Sequence, residues 1–224
     1  MRHFRLVLLP LLAALAAPAA ADVTLRYAAD EAGGLAMVIE ADDFGNIRAE
    51  SSNGQAMIIR GSEVYLALPL EGRPVVRLDD ALALAAEARS GTAPTERERS
   101  ALVDRGPQRV GQWERRLYWI DPLPPLNGRL RSEIVIATDP ALVAAGRHFA
   151  RVEEEQARLF LAAFPVPPSD YRTLSSGLFE RGLMLRIAGR YRLEGISDGP
   201  VAPERFELPG SALSRDAYRE LLGR

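Results

Sequence analysis

The sequence predicts an α+β fold, an antiparallel sheet with its helices gathered on one side. Three observations carry that prediction. From Val23 the N-terminal half alternates apolar and polar residues in short runs separated by tight turns, too closely spaced for the long crossovers that parallel strands require. Helix-period segments then interrupt the strands, the longest running from Asp139 to about Phe164. Strands resume after the proline-rich stretch Pro165-Val166-Pro167-Pro168. The strand and helix alternation of the second half resembles a parallel α/β order, but the early meander and its turns favour the antiparallel arrangement.

The first residues belong to a leader and not to the fold. Arg2, His3 and Arg5 precede an apolar run from Leu6 to Ala17 and the small-residue site Ala19-Ala20-Ala21, the pattern of a secretory signal peptide cut after Ala21. That run of about 12 residues is short of the roughly 20 that span a bilayer. Residues 22–224 are therefore expected as one secreted domain with no transmembrane anchor. The chain has no cysteine, which removes a lipid-anchor acceptor, a disulfide framework and thiolate metal sites together. Without Arg2 and Arg5, 26 basic residues face 30 acidic ones, a net charge near −4. A mildly acidic domain lacks the footprint of nucleic-acid binding. Every basic residue except the histidines is arginine, which reads as a compositional bias.

Taken in order, "VTLRYAA" and "LAMVIEA" flank the Asp30 to Gly34 turn, Asp42-Asp43-Phe44-Gly45-Asn46 makes the next turn before "IRAES", and Asn53-Gly54 is the strongest hairpin dipeptide. The acidic pairs Asp30-Glu31 and Asp42-Asp43 lack the alternating oxygen ligands of a calcium loop and are read as turn chemistry. A two-residue loop at Gly61-Ser62 sets Arg60 opposite Glu63 and puts Met57, Ile59, Val64, Leu66 and Leu68 on one face. Ala56, Ile58, Arg60, Glu63, Tyr65 and Ala67 fall on the other, a mixed face that is either half-solvated or beneath a helix.

"RPVVRL" continues the sheet. Asp79 then caps a helix that stops at Gly91, and the capping-box pair Thr95 and Glu98 predicts a second short helix through "RSALVD". "RVGQWERRLYWI" reads as one strand, followed by the turn "PLPPLNG" and the strand "RSEIVIAT". The long helix is capped at Asp139, starts with Pro140 and ends at Pro165. Its apolar stripe includes Leu142, Ala145, Phe149, Val152, Leu159 and Phe160, while Arg147, Arg151, Glu154, Glu155 and Arg158 lie opposite. Arg151 with Glu155 and Glu154 with Arg158 have i,i+4 spacing, and Gly146 predicts bending or fraying of the first turns. "GLMLRIAG", "RYRLEGIS" and "ERFELPG" are read as strands, and "SRDAYRELLG" as a helix capped by Ser214.

No catalytic apparatus is legible. His148 is the one histidine beyond the leader, and neither G-x-S-x-G nor H-E-x-x-H occurs. The expectation is a chain that is not an enzyme and uses no cofactor or metal, with carboxylates assembled from distant strands left open. Trp113 and Trp119, six residues apart, share one side of a regular strand with Tyr118 opposite; sugar stacking and core packing both fit them.

"IIRGSEVYLALP", "GQWERRLYWI", "SEIVIATDPAL", "GLMLRIAG" and "APERFELPG", in this order, resemble functionally uncharacterised bacterial periplasmic domains of the LolA-like half-barrel superfamily, LolA being the periplasmic lipoprotein carrier. The resemblance spans about Val23 to Gly210, on motifs that are structural. It implies a curved antiparallel sheet, a half-barrel, covered on its concave side by helices, and a concavity that in such proteins holds acyl chains. The site it suggests is ligand-binding: Met57, Ile59, Val64, Leu66 and Leu68 from the sheet, facing Phe149, Val152, Leu159 and Phe160 from the helix. A filled core would use the same residues. The implied function is a periplasmic carrier or binding domain for a lipid or lipidated protein; the alternative is a cell-envelope interaction or structural domain that binds another protein.

Overall fold

Period-two alternation, punctuated by turns that need unusual backbone geometry, is the local rule from which this sheet is built. The computed structural model describes residues 22–32, 34–89, 99–110, 113–123, 132–163, 178–179 and 181–223. The strands are β1 (Val23–Ala29), β2 (Met37–Ala41), β3 (Ile47–Ser51), β4 (Ala56–Arg60), β5 (Glu63–Ala67), β6 (Val75–Arg77), β7 (Arg99–Val110), β8 (Trp113–Leu123), β9 (Ser132–Ala137), β10 (Leu183–Ile187) and β11 (Tyr191–Asp198). They form one open eleven-stranded sheet in the order β6-β5-β4-β3-β2-β1-β11-β10-β9-β8-β7, antiparallel throughout. With α1 (Leu78–Arg89), α2 (Pro140–Ala163) and α3 (Arg215–Leu222), the fold is α+β. The proposed leader, the Thr92-Ala93-Pro94 linker, most of the "PLPPLNG" turn, Phe164 and the proline run after it lie outside the described residues.

The hairpin at Gly61-Ser62 has the expected register. Arg60 pairs with Glu63, Ile59 with Val64, Ile58 with Tyr65, Met57 with Leu66 and Ala56 with Ala67, and Gly61 takes a φ of 56° that its lack of a Cβ permits. The charged pair at the turn does not form. Arg60 Nε instead donates to the carbonyl of Phe206 at 2.7 Å, and Glu63 turns to Arg77 at 3.3 Å.

Over "RSALVD", where the second short helix is expected, β7 lies instead; Thr95 and Glu98 lie outside the described residues. Leu102 and Asp104 alternate with Val103 and Arg105, and β8 supplies backbone partners on both sides of one irregularity. A capping box stabilises a helix end locally, but the neighbouring strand satisfies a whole row of backbone groups. Gly106, at φ 89°, and Pro107 sit at an irregularity between Asp104 and Pro107, where a residue lacking an N–H is tolerated on an edge strand. Asp104 fixes that bend by accepting from Gly106 N at 2.8 Å and from Arg116 Nε at 2.8 Å. The stretch read as one strand, "RVGQWERRLYWI", is the hairpin between β7 and β8, with Val110 paired to Trp113.

Helix α2 packs on β10, β2 and β3 and against α1, which itself lies on β5 and β6. Gly146 has a different purpose from the one its helix propensity suggests. A Cβ built there would lie 2.6 Å from Gly182 C and 2.9 Å from Leu183 N, so the glycine lets the helix backbone approach β10 and is no point of fraying. Asp139 Oδ1 accepts from Ala141 N at 3.0 Å and starts the helix as expected. Asp79 lies inside the first turn of α1 and not at its cap, where it reaches Arg158 of α2 at 3.2 Å.

The mixed face of the hairpin is covered neither by water nor by an α-helix. After β11 the chain crosses this face, and the expected strand "ERFELPG" begins instead as a 3-10 turn, Pro203–Phe206. Pro203 favours that start, since its fixed φ suits a first helical position. The segment continues to the sheet edge, where Ala212 bridges Val75 in parallel and Leu213 N donates to Val75 O at 2.8 Å. It ends in α3, capped by Ser214, whose side chain accepts from Ala217 N, and α3 meets α1 through Arg219 and Glu87 at 3.0 Å. The tail thus passes from one face of the sheet, around the β6 edge, to the helix layer on the other.

Candidate functional site

The side chains proposed from sequence lie together. Met57 and Ile59 on β4, Val64 and Leu66 on β5, and Phe149 and Val152 on α2 are all buried within one apolar cluster, against which Leu68 and Leu159 are half-buried. Strand parity brings the first four to one face, and a three-residue step brings the two helix residues to one stripe. Phe160 lies on α2, but its side chain falls outside the described residues.

The same cluster has a centre that the sequence reading did not single out. Tyr27 meets Phe149 with ring centroids 5.3 Å apart, Phe149 meets Phe179 edge-on at 5.3 Å, and Tyr27 also approaches Tyr191 at 6.3 Å. The Tyr27 hydroxyl donates to the carbonyl of Met184 at 3.1 Å, so this buried phenol has a partner. Burial, with the charge of Glu153 added, holds its pKa well above the ordinary tyrosine value. The signal for Tyr27 was present in the alternation of Val23, Leu25 and Tyr27. Nothing local marks Phe179.

Glu155 overturns its predicted place on the exposed side of α2. Its side chain is 1% exposed and lies between Arg151, at 2.8 Å, and Arg158, at 2.6 Å. Glu153, equally buried, faces Arg190 at 3.6 Å. These contacts explain the inversion, since a carboxylate held by guanidinium groups tolerates removal from water. Of the two i,i+4 pairs, Arg151 with Glu155 forms, whereas Arg158 takes Glu155 at i,i+3 in place of Glu154.

The remaining candidates are dispersed. Tyr118 is buried within the cluster. Trp119 points to the opposite face, as parity requires, with the guanidinium of Arg105 4.2 Å from its ring centroid; the side chain of Trp113 lies outside the described residues. His148 is half-buried on α2, and burial lowers its pKa against an opposing pull from Asp42. Among the described residues no group of three histidine or acidic side chains is placed to hold a metal ion, and no helix is long and apolar enough to cross a membrane.

What this arrangement offers chemically is a packed apolar cluster between a sheet face and two helices, with an aromatic centre. Comparison of the chain with protein-family models, with curated proteins and with solved structures returns no match.

Proposed function

We propose that this is a secreted, non-catalytic domain of the periplasm that binds or carries a lipid or lipidated protein. In this reading the sheet is a half-barrel, its concave face is the one bearing Met57, Ile59, Val64 and Leu66, and α1 and α2 cover it. The observation that carries the reading is the continuity of the apolar cluster from its interior to half-exposed Leu68 and Leu159. An acyl chain seated against that cluster would contact hydrocarbon and aromatic rings, at about 0.8 kcal/mol per buried methylene.

The test is uptake. Purified protein is expected to retain or acquire fatty acid or phospholipid in native mass spectrometry. Provided circular dichroism shows the fold retained, Leu66→Arg is expected to abolish uptake and Leu159→Arg, at a half-buried position, to reduce it. Protein that stays ligand-free with both probes sinks the proposal. A second reading is favoured by the tightness of the aromatic packing, with Phe149 fully buried between Tyr27 and Phe179: a filled core in an envelope domain that works by binding another protein.

A further inference from the structure

The turn between β2 and β3 presents an aromatic side chain to solvent on an over-determined support. Phe44 is 89% exposed, the most exposed large apolar residue among those described. Its backbone is nevertheless fixed. Asp42 Oδ1 accepts from Phe44 N at 2.9 Å and from Asn46 N at 2.8 Å, and Asp42 Oδ2 accepts from Asn46 Nδ2 at 2.8 Å. Asp42 N and Gly45 N close the turn with bonds to Asn46 O and Asp42 O, each 3.1 Å. Gly45 has a φ of 81°, which favours glycine.

The turn is also tied to its neighbours. Asp22 Oδ1 accepts from Asp43 N at 3.2 Å, and Asp22 Oδ2 from Val201 N at 2.6 Å. The aromatic ring is thus held out on a preorganised turn, which lowers the entropy cost of using it in a complex. A lone exposed apolar residue is ordinary on a loose loop; here a dense set of bonds holds the backbone that displays it.

The rim is acidic. Asp22, Asp42, Asp43 and Asp198 gather at this end of the sheet, where Val23 pairs with both Ala41 and Asp198. None of the four is in an ion pair among the described residues. His148 approaches Asp42, but burial lowers its pKa, so near pH 7 it does not cancel the acids. Release of the leader before Asp22 would add one ammonium group, and the carboxylates still predominate.

We propose that Phe44 and its acidic rim form a docking surface for a protein partner that offers an apolar pocket edged by arginine or lysine. Charge complementarity selects this occupant. A second copy would bring the same acids together across an isologous contact, and anionic lipid headgroups would repel them. Aromatic residues in desolvated pockets carry a large share of binding energy at such interfaces. This inference does not rest on the lipid-binding reading, because the turn lies outside the apolar cluster.

The experiment places a photo-crosslinking phenylalanine analogue at position 44 of the full chain, in the cell envelope where the chain is expressed. One discrete protein adduct is expected, suppressed by excess wild-type protein but not by excess Phe44→Ala protein. The purified adduct partner should then bind Phe44→Ala about 30-fold more weakly than wild type. Asp43→Arg should slow association and reduce its salt dependence. Equal melting temperatures of the variants separate these losses from misfolding. The proposal is overturned by the absence of a discrete adduct, by adducts only to lipid or to a second copy, or by equal partner binding with and without the Phe44 ring.

Discussion

Neighbouring residues of β4 enter two different kinds of interior. Met57 and Ile59 join side chains from α1, α2 and most strands, while Ala56 belongs to a small separate cluster with Ala67 and Val75 on the other face, packed by Tyr65 and Leu208. Around that small cluster the contacts are directional. Arg60 and Arg48 donate to the carbonyls of Phe206 and Arg205, Arg205 reaches Glu40 at 2.7 Å, and Glu50 lies between Arg48 at 2.8 Å and Arg73 at 3.0 Å. One face is held chiefly by apolar area, whose burial exchanges no proton. The other is held by a strap of chain fastened with arginines, whose contribution depends on pH and salt.

The largest expected effect breaks the first face. Phe149 is fully buried and sits between two rings, so Phe149→Ala should cost about 3–5 kcal/mol. Urea denaturation checks it, with the slope unchanged if two-state unfolding survives. A loss under 1 kcal/mol would mean the helix side is not the packed centre described above.

Phe206→Ala probes the second face. Phe206 is 3% exposed, but the strap that carries it can shift outward, leaving a smaller closed void, and the expected loss is about 2–3 kcal/mol. Hydrogen exchange sharpens the contrast. The amide of Leu213, bonded to Val75 O, should lose protection with this variant while amides of β1 and β2 keep theirs. Equal loss in both regions would show that the two faces unfold as one unit.

What the sequence disclosed follows the range of the interactions that decide each element. The register at Gly61-Ser62, the turn at Asp42 to Asn46, the Asp139 start of α2 and the Ser214 cap are governed by residues within a few positions, and all were legible. β7 was not, because its choice between helix and strand is made by β8 across a hairpin, against a local capping box. Gly146 was read through helix propensity when its reason lies at Gly182, on another element. Glu155 was placed by its charge, whereas Arg151 and Arg158 make its burial tolerable. The strap over Ala56 and Ile58 could be foreseen from Pro203 as an interruption, but no local pattern tells which face of a sheet a distant segment will cross. Of the candidate residues, strand parity and helix period placed all but Phe160, which lies outside the described side chains, in or against one cluster, while Phe179 and the Tyr27 contacts required the tertiary fold.

The smallest effect discriminates most sharply between the two faces. Burial raises the pKa of Glu50, but hydrogen bonds from Arg48 and Arg73, with their charges, outweigh it and leave the carboxyl below its ordinary value. A carboxylate with a depressed folded pKa contributes stability above its unfolded pKa, near about 4.5, and loses that contribution as pH falls through the folded value. Glu50→Gln should therefore cost about 1 kcal/mol or less near pH 7, where the pair is partly exposed, and almost nothing in strong acid. The difference between wild type and variant should shrink on acidification below pH 4.5, and shrink also as salt is raised. Phe149→Ala should show no such convergence, because no proton is exchanged at that site. Parallel pH profiles for Glu50→Gln and wild type would remove the Glu50 carboxylate from the account of the outer face, leaving the strap to Phe206, Leu208 and the hydrogen bonds to its backbone.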